Sequence, residues 1–358
     1  MLRLAVIAVF LSMGHPASAG LFQSPSTEGD YVIKNYRCAT GEALPEVKLH
    51  YRTMGTPRRD AQGRITNGVL MMHGSSGDAS QVLATSMIGP LAGPGAALDP
   101  ASHFLIFPDI LGAGKSTKPS DGLRAKFPRY GYHDLVDLEH RLISEHFKID
   151  RLRLVMGISM GGMHAWLWGI RYPDAMDGIV AISSLPAKID GRNLLWRRIL
   201  SQAIRNDPEW QGGNYASQPR GFLSIMPMFD MLVQSPARLA ERLKTIPQAD
   251  DYVKDVVEET LEEGDDANNI LYRFEASFDS DPEADLPKIK APVLAILFAD
   301  DELNPIELGT IERVMKQVRN QQHVIVPASA ATEGHRTQVK SEVWASRLAA
   351  FLTSIPAR

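Results

Sequence analysis

The sequence predicts an α/β protein with a mostly parallel, doubly wound sheet and a helical insertion. Short apolar runs alternate with helical patterns along most of the chain, which is typical of parallel strands joined by crossover helices. This alternation stops over residues 186–286, where helical patterns follow one another without a convincing strand. We therefore expect a core formed by residues 20–185 and 287–358, and a helical insertion formed by residues 186–286.

Two segments near the start, 31–37 and 46–53, alternate between apolar and polar residues and predict an antiparallel strand pair at a sheet edge. Buried parallel strands are predicted at 69–73, 104–108, 153–156, 178–183, 293–298 and 323–326. Helices of the core are predicted at 132–147, 163–172, 306–318 and 339–353. Those of the insertion are predicted at 194–206, 222–233, 238–244, 252–263 and 267–278. We expect the insertion to be a lid over the carboxyl ends of the strands, where open α/β sheets place their sites.

Composition narrows the classes of function. The 358 residues are 44% hydrophobic and 22% charged, as in an ordinary globular protein. A net charge of −4 favours neither a nucleic-acid partner nor an anionic membrane surface. Cys38 is the single cysteine, so an internal disulfide is excluded, and no H-E-x-x-H spacing occurs. We expect no metal and no cofactor.

The first residues differ in composition from the rest. Arg3 precedes an apolar run at 4–13, and small residues at 17–19 precede Gly20. This pattern predicts a secretory signal peptide, residues 1–19, cleaved after Ala19, and a periplasmic or secreted protein. The apolar run is too short to span a bilayer, so the mature chain is expected to have no integral membrane segment. An ordinary buried amino-terminal helix is the alternative.

One stretch has the pattern of a catalytic turn. Residues 157–161, Gly-Ile-Ser-Met-Gly, fit G-x-S-x-G between an apolar strand and an apolar helix. That is the nucleophile elbow of α/β-hydrolases, in which flanking glycines permit a strained turn with an exposed serine. Ser159 is therefore the candidate nucleophile. A glycine-rich turn with an idle serine is the alternative.

A serine nucleophile needs a base and a group that orients the base. The loop after the strand at 293–298 offers Asp301, with Asp300 and Glu302 as fallbacks. His335 follows the last strand and a glycine, and it is the candidate base. The order serine, aspartate, histidine is that of α/β-hydrolases.

An acyl-transfer site also needs donors for the oxyanion. The backbone N–H of Met160 directly follows the nucleophile, and the loop at 73–78 follows the third strand. We expect the N–H groups of Met160 and Ser75 to form the oxyanion hole. For the loop at 73–78, a solvent loop rich in small polar residues is the alternative.

Several segments together resemble the homoserine O-acetyltransferase-like branch of the α/β-hydrolases, over nearly all of the mature chain. The segments that carry the resemblance are 73–78, 159–163 with Trp168, 172–174, 206–210, 212–215, 266–269 and 301–305. The resemblance implies an α/β-hydrolase fold and acyl transfer through Ser159.

Two positions depart from the family in the substrate site. The resemblance implies an aspartate after the catalytic histidine, to hold the homoserine ammonium, but this chain has Arg336. It also implies an arginine in the lid for the homoserine carboxylate, and an ungapped comparison places Met226 there. Both residues are candidate substrate contacts, and neither supplies the expected charge.

We favour an exported serine hydrolase that cleaves a carboxylic ester or related acyl bond through an acyl-enzyme on Ser159. An acyltransferase that uses the same acyl-enzyme with an alcohol acceptor is the alternative, and a non-catalytic binding protein is the least favoured function. The expected partner is a small-molecule acyl substrate. The lid is also a candidate surface for a homodimer.

Overall fold

A computed structural model describes residues 26–356, so the predicted signal peptide lies outside the described residues. Eight strands form one sheet: β1 (Ser26–Arg37), β2 (Ala43–Met54), β3 (Gly68–Met72), β4 (Phe104–Pro108), β5 (Leu154–Ile158), β6 (Ile179–Ile182), β7 (Val293–Phe298) and β8 (Gln321–Val326). Their order across the sheet is β1-β2-β4-β3-β5-β6-β7-β8.

The predicted mixture of strand directions is confirmed. Strands β1 and β2 pair antiparallel at one edge, β2 pairs antiparallel with β4, and all pairs from β4 to β8 are parallel. Every residue of β3 to β7 is buried, because helices cover both faces of the sheet. The edge strand β8 is partly exposed.

Eleven α-helices lie within residues 26–356. They are α1 (Ala79–Leu83), α2 (Thr85–Ala92), α3 (Tyr132–Arg141), α4 (Met160–Arg171), α5 (Gly191–Arg205), α6 (Arg220–Val233), α7 (Pro236–Arg242), α8 (Ile246–Glu262), α9 (Ala267–Glu275), α10 (Thr310–Val314) and α11 (Ala345–Ser354). Helices α5 to α9 form the helical insertion between β6 and β7. None of the helices in this range is both long and apolar enough to cross a membrane.

The helix predictions differ from the structure at several places. The segment predicted as one helix at 306–318 is broken, because Gly309 has a left-handed φ of 61° between a short turn and α10. The final helix begins at Ala345, after two tight turns, and not at residue 339. Helices α1 and α2 are absent from the predictions, because α1 has only five residues and Pro90 lies inside α2.

The site is built where loops leave the carboxyl ends of β3, β5, β7 and β8. The insertion forms most of a separate hydrophobic cluster, which Leu303 of the aspartate loop joins. Helices α5, α6 and α9 also make hydrogen bonds to these loops. Every helix from α5 to α9 lies between strands β6 and β7 in the chain. The boundaries of core and insertion at residues 185/186 and 286/287 stay a prediction.

Candidate active site

Ser159 occupies the apex of a tight turn between β5 and α4. Its backbone has φ 49° and ψ −114°, a conformation that side-chain-bearing residues rarely adopt. A Cβ on Gly157 would lie 2.2 Å from the carbonyl of Gly161, and a Cβ on Gly161 would lie 2.4 Å from the oxygen of Met72. The two glycines are therefore required by the close approach of strand and helix, as the motif predicts.

Ser159, His335 and Asp301 form one hydrogen-bonded chain. His335 Nε2 lies 2.8 Å from Ser159 Oγ, and His335 Nδ1 lies 2.8 Å from Asp301 Oδ2. The histidine and the aspartate are 4% and 2% exposed, so their interaction is shielded from bulk water. The structure thus brings together the three residues that the sequence analysis selected, with the geometry that a serine nucleophile and its base require.

Backbone and amide donors fix the Asp301 carboxylate. Its Oδ1 accepts a hydrogen bond of 2.9 Å from the Leu303 N–H, and its Oδ2 accepts one of 2.9 Å from Asn304 Nδ2. Asn304 Nδ2 also donates to the Ser183 carbonyl at the end of β6. The orientation of the carboxylate toward His335 is therefore set by two neighbouring strand ends.

The two fallback carboxylates have other partners. Asp300 Oδ2 accepts hydrogen bonds of 3.1 Å from the Gly334 N–H and 2.9 Å from Thr332 Oγ1, so it binds the loop that carries the histidine. Glu302 forms an ion pair of 2.9 Å with Arg192 at the surface. Neither carboxylate contacts the imidazole.

Two unpaired N–H groups lie beside the serine. The Gly161 N–H donates to the His73 carbonyl at 3.0 Å, whereas the N–H groups of Met160 and Ser75 have no acceptor within residues 26–356. Gly74 lies against the nucleophile, since a Cβ on this glycine would be 3.5 Å from Ser159 Cβ. Both candidate oxyanion donors are therefore without an acceptor among the described residues, and the loop that carries Ser75 contacts the nucleophile.

His73 links the loop that carries Ser75 to the loop that follows β4. The imidazole is fully buried; its Nδ1 lies 2.8 Å from the Gly74 carbonyl, and its Nε2 accepts a hydrogen bond from the Ile110 N–H. Burial lowers the pKa of His73. The ring is therefore neutral, with the proton on Nδ1, and acts as a fixed link between two loops.

The insertion holds the same loop from the opposite side. Arg273, on α9, is buried and donates a hydrogen bond of 2.8 Å from Nη1 to the Gly77 carbonyl. Its Nη2 lies 3.9 Å from Asp265 Oδ1, which supplies a counter-charge. This contact joins the insertion to the loop of the candidate oxyanion hole.

Arg336 does not present a free positive charge beside the histidine. Its Nη2 donates to Asp230 Oδ1 of α6, while Asp230 Oδ2 accepts hydrogen bonds from Tyr252 and from Gln234. The carboxylate is buried, and both of its oxygens are engaged. The ion pair links the histidine loop to the insertion. The positive charge of Arg336, which the sequence suggested would face the substrate, is neutralised by Asp230.

Met226, the other candidate substrate contact, is buried in the hydrophobic cluster of the insertion. Asp230 follows it by four residues and lies on the same buried face of α6. A charged residue on an apolar helix face is the signal that could have revealed Asp230 from the sequence. Arg197 is a second such residue, on the buried face of α5 with Leu200 and Ile204.

A serine elbow after the central strand of a mostly parallel sheet is the arrangement of the α/β-hydrolase fold. A family model of that fold matches residues 69–328. A probable acyltransferase of Methanothermobacter thermautotrophicus is 30% identical over 282 residues, covering 78% of this chain and 85% of that protein. A homoserine O-acetyltransferase of Haemophilus influenzae is 29% identical over 311 residues, covering 77% of this chain and 85% of that protein.

The solved structure of esterase E22 has the same fold, with a TM-score of 0.79 and 19% identity over 92% of this chain and 100% of that chain. The chain belongs to the α/β-hydrolase family, in its homoserine O-acetyltransferase-like branch. Both acyltransferases and an esterase are thus similar to this chain, so the acceptor of the acyl group must be argued from the site.

Proposed function

We propose that the protein is a serine hydrolase that cleaves a carboxylic ester through an acyl-enzyme on Ser159. The observation that carries this proposal is the chain of two 2.8 Å contacts that joins Ser159, His335 and Asp301. The serine hydroxyl is aligned with a buried base, and the base is held by a carboxylate whose own position is fixed.

In the first half of the reaction, Ser159 Oγ attacks the ester carbonyl while His335 Nε2 takes the hydroxyl proton. The negative charge that develops on the carbonyl oxygen is stabilised by the N–H groups of Met160 and Ser75. The tetrahedral intermediate then collapses: the bond to the leaving alcohol breaks, and His335 returns the proton to that alcohol. Asp301 stabilises the imidazolium without taking its proton.

In the second half, a water molecule loses a proton to His335 and attacks the acyl carbonyl on Ser159. The same two N–H groups stabilise the second tetrahedral intermediate. Its collapse breaks the bond between the acyl group and Ser159 Oγ, and the imidazolium protonates the departing serine oxygen. The acid is released and the free enzyme is restored.

The charges around His335 favour water over homoserine as the acceptor. A homoserine zwitterion needs a partner for its ammonium in a desolvated site. Arg336 offers no partner for an ammonium, and the nearby carboxylate of Asp230 is already bound by Arg336, Tyr252 and Gln234. Binding the ammonium would break this buried network, which makes homoserine a poor acceptor.

An acyltransferase that uses the same acyl-enzyme is the second candidate. The similarity to a probable acyltransferase and to a homoserine O-acetyltransferase, each over more than three quarters of this chain, favours it. Export, which the leading residues predict, would separate the enzyme from cytosolic acyl-coenzyme A. We propose a periplasmic or secreted hydrolase for this reason as well.

The acceptor assay separates the two candidates. The mature enzyme is incubated with 4-nitrophenyl butyrate in the presence and absence of homoserine, and separately with acetyl-coenzyme A and homoserine. We expect hydrolysis that homoserine does not change and no O-acetylhomoserine, with Ser159→Ala as the inactive control. Saturable formation of O-acetylhomoserine would contradict the hydrolase proposal and would favour the acyltransferase.

A further inference from the structure

Arg197 is a buried cation that has no carboxylate partner among residues 26–356. Its Nε donates a hydrogen bond of 2.9 Å to Asn193 Oδ1, and its Nη1 lies 3.3 Å from both the Phe274 carbonyl and Ser277 Oγ. All three acceptors are neutral. Arg273, the other buried arginine of residues 26–356, lies near Asp265. A buried charge without a counter-charge is destabilising unless a ligand compensates it.

Tyr132 supplies a second buried polar group next to this cation. Its side chain is fully buried, and its hydroxyl makes no hydrogen bond of good geometry within residues 26–356. The Arg197 guanidinium and the Ser75 hydroxyl are its polar neighbours, and the T-shaped contact with His164 fixes its ring. Burial raises the pKa of the Tyr132 hydroxyl, so it remains a neutral donor.

These two groups lie between the loops that form the candidate active site. Ser75, beside the Tyr132 hydroxyl, follows Gly74, which is in contact with the nucleophile. Asn193, which holds Arg197, also donates a hydrogen bond of 3.4 Å to the Leu303 carbonyl, two residues after Asp301. Tyr132 is therefore next to the candidate oxyanion loop, and Arg197 is joined through Asn193 to the aspartate loop.

We propose that Arg197 and Tyr132 form an anion subsite that binds a carboxylate carried by the substrate, so that the preferred substrate is an ester with a free carboxylate. The proposal rests on the proposed hydrolysis at Ser159. One guanidinium compensates a single negative charge, which fits a carboxylate better than a dianionic phosphate. Arg336 is unsuited to this role because Asp230 already binds it.

The test compares esters that differ only in this charge. Monoethyl esters of dicarboxylic acids, from succinate to suberate, are paired with ethyl esters of monocarboxylic acids of the same chain length. We expect the wild-type enzyme to have a higher kcat/KM for the charged member of at least one pair. Arg197→Met should lower the ratio of the two kcat/KM values about 10- to 100-fold, the effect of one charge-assisted hydrogen bond. Arg197→Lys, which keeps the charge, should recover part of the ratio.

Arg198→Met is the matched control, because Arg198 is the next residue of α5 and its side chain is 52% exposed. The control should leave the ratio unchanged. If Arg197→Met does not fold, Tyr132→Phe and the preference of the wild-type enzyme decide the question. The subsite would be overturned if the wild-type enzyme preferred the charged ester at no chain length. It would also be overturned if Arg197→Met and Arg198→Met changed the kcat/KM ratio equally.

A binding measurement separates failure of the subsite from failure of the proposed function. Calorimetric titration of Ser159→Ala with the preferred monoethyl ester needs no turnover. Saturable binding that Arg197→Met removes in the same background supports the subsite even if the wild-type enzyme hydrolyses no ester. Ester hydrolysis that depends on Ser159, combined with equal binding of charged and neutral esters, would overturn the subsite and leave the hydrolase proposal intact.

Discussion

Asp300 and Asp301 are neighbours in the chain, but their carboxylates bind different parts of the loop that carries His335. Asp301 Oδ2 lies 2.8 Å from the imidazole Nδ1, whereas Asp300 Oδ2 accepts a hydrogen bond from the Gly334 N–H. The first carboxylate orients the ring, and the second fixes the backbone from which the ring projects.

The two aspartates should therefore differ in their effect on catalysis. Asp301→Asn is expected to lower kcat by about 10⁴-fold, because the amide favours the wrong tautomer of the histidine. Asp300→Asn keeps an acceptor for Gly334 and should lower kcat by less than about tenfold. Both variants are measured with 4-nitrophenyl butyrate. A larger loss in Asp300→Asn would show that Asp300 orients the base.

Removing the nucleophile or the base should abolish most turnover. Ser159→Ala and His335→Ala are each expected to lower kcat by about 10⁴- to 10⁶-fold, with an unchanged thermal midpoint. Ser201→Ala is the matched control and should leave kcat unchanged, since Ser201 is also buried and its hydroxyl binds Glu275 within the insertion. If Ser159→Ala kept more than about a tenth of wild-type turnover, the acyl-enzyme mechanism would be wrong.

Arg273 should position the oxyanion loop without contacting the substrate. Arg273→Met removes the hydrogen bond to the Gly77 carbonyl and is expected to lower kcat about 10- to 100-fold, with a smaller change in KM. Arg273→Lys should restore part of kcat. Arg205→Met is the control, because it removes an ion pair with Glu275 at the surface of the insertion. Equal losses in both methionine variants would point to a general effect on stability.

Cys38 should be unreactive in the folded protein. The thiol is 2% exposed, and burial raises the pKa of Cys38 to about 12, so little thiolate exists at mildly alkaline pH. Ellman's reagent is expected to react slowly with the native protein and stoichiometrically in concentrated guanidinium chloride. Rapid reaction under native conditions would show that β1 and the segment after it open readily.

The leading sequence makes a prediction about processing. Mass spectrometry of the protein from its native host should find a mature chain that begins at Gly20 in the periplasmic or secreted fraction. An intact amino terminus in the cytosolic fraction would reject export, and would make acyl-coenzyme A available to the enzyme.

The parallel strands were predictable because their signal is local. Strand β7 has the predicted bounds, since a run of six apolar residues at 293–298 matches a strand buried on both faces. Helix ends were less predictable. Gly309 breaks a continuous apolar pattern through its backbone conformation alone, and the sequence does not show that conformation.

The candidate triad could be selected from the sequence because its members follow strands in a known order. The contacts that surround the triad could not be predicted from the sequence. Asp230 and Arg336 are 106 residues apart, and Arg197 becomes noteworthy only when its surroundings prove to be uncharged. Such pairings depend on how the insertion packs against the sheet, and no local sequence pattern predicts that packing.

The contact between His335 and Ser159 joins residues that are 176 positions apart, with the whole insertion between them. During synthesis, β3, β5 and the elbow leave the ribosome long before the last strand and the histidine loop. Closing such a long loop is among the slow steps of folding, because chain entropy opposes it until the final contacts form. An incomplete chain therefore contains Ser159 without its base His335. The enzyme becomes catalytically active only after the last part of the fold has formed.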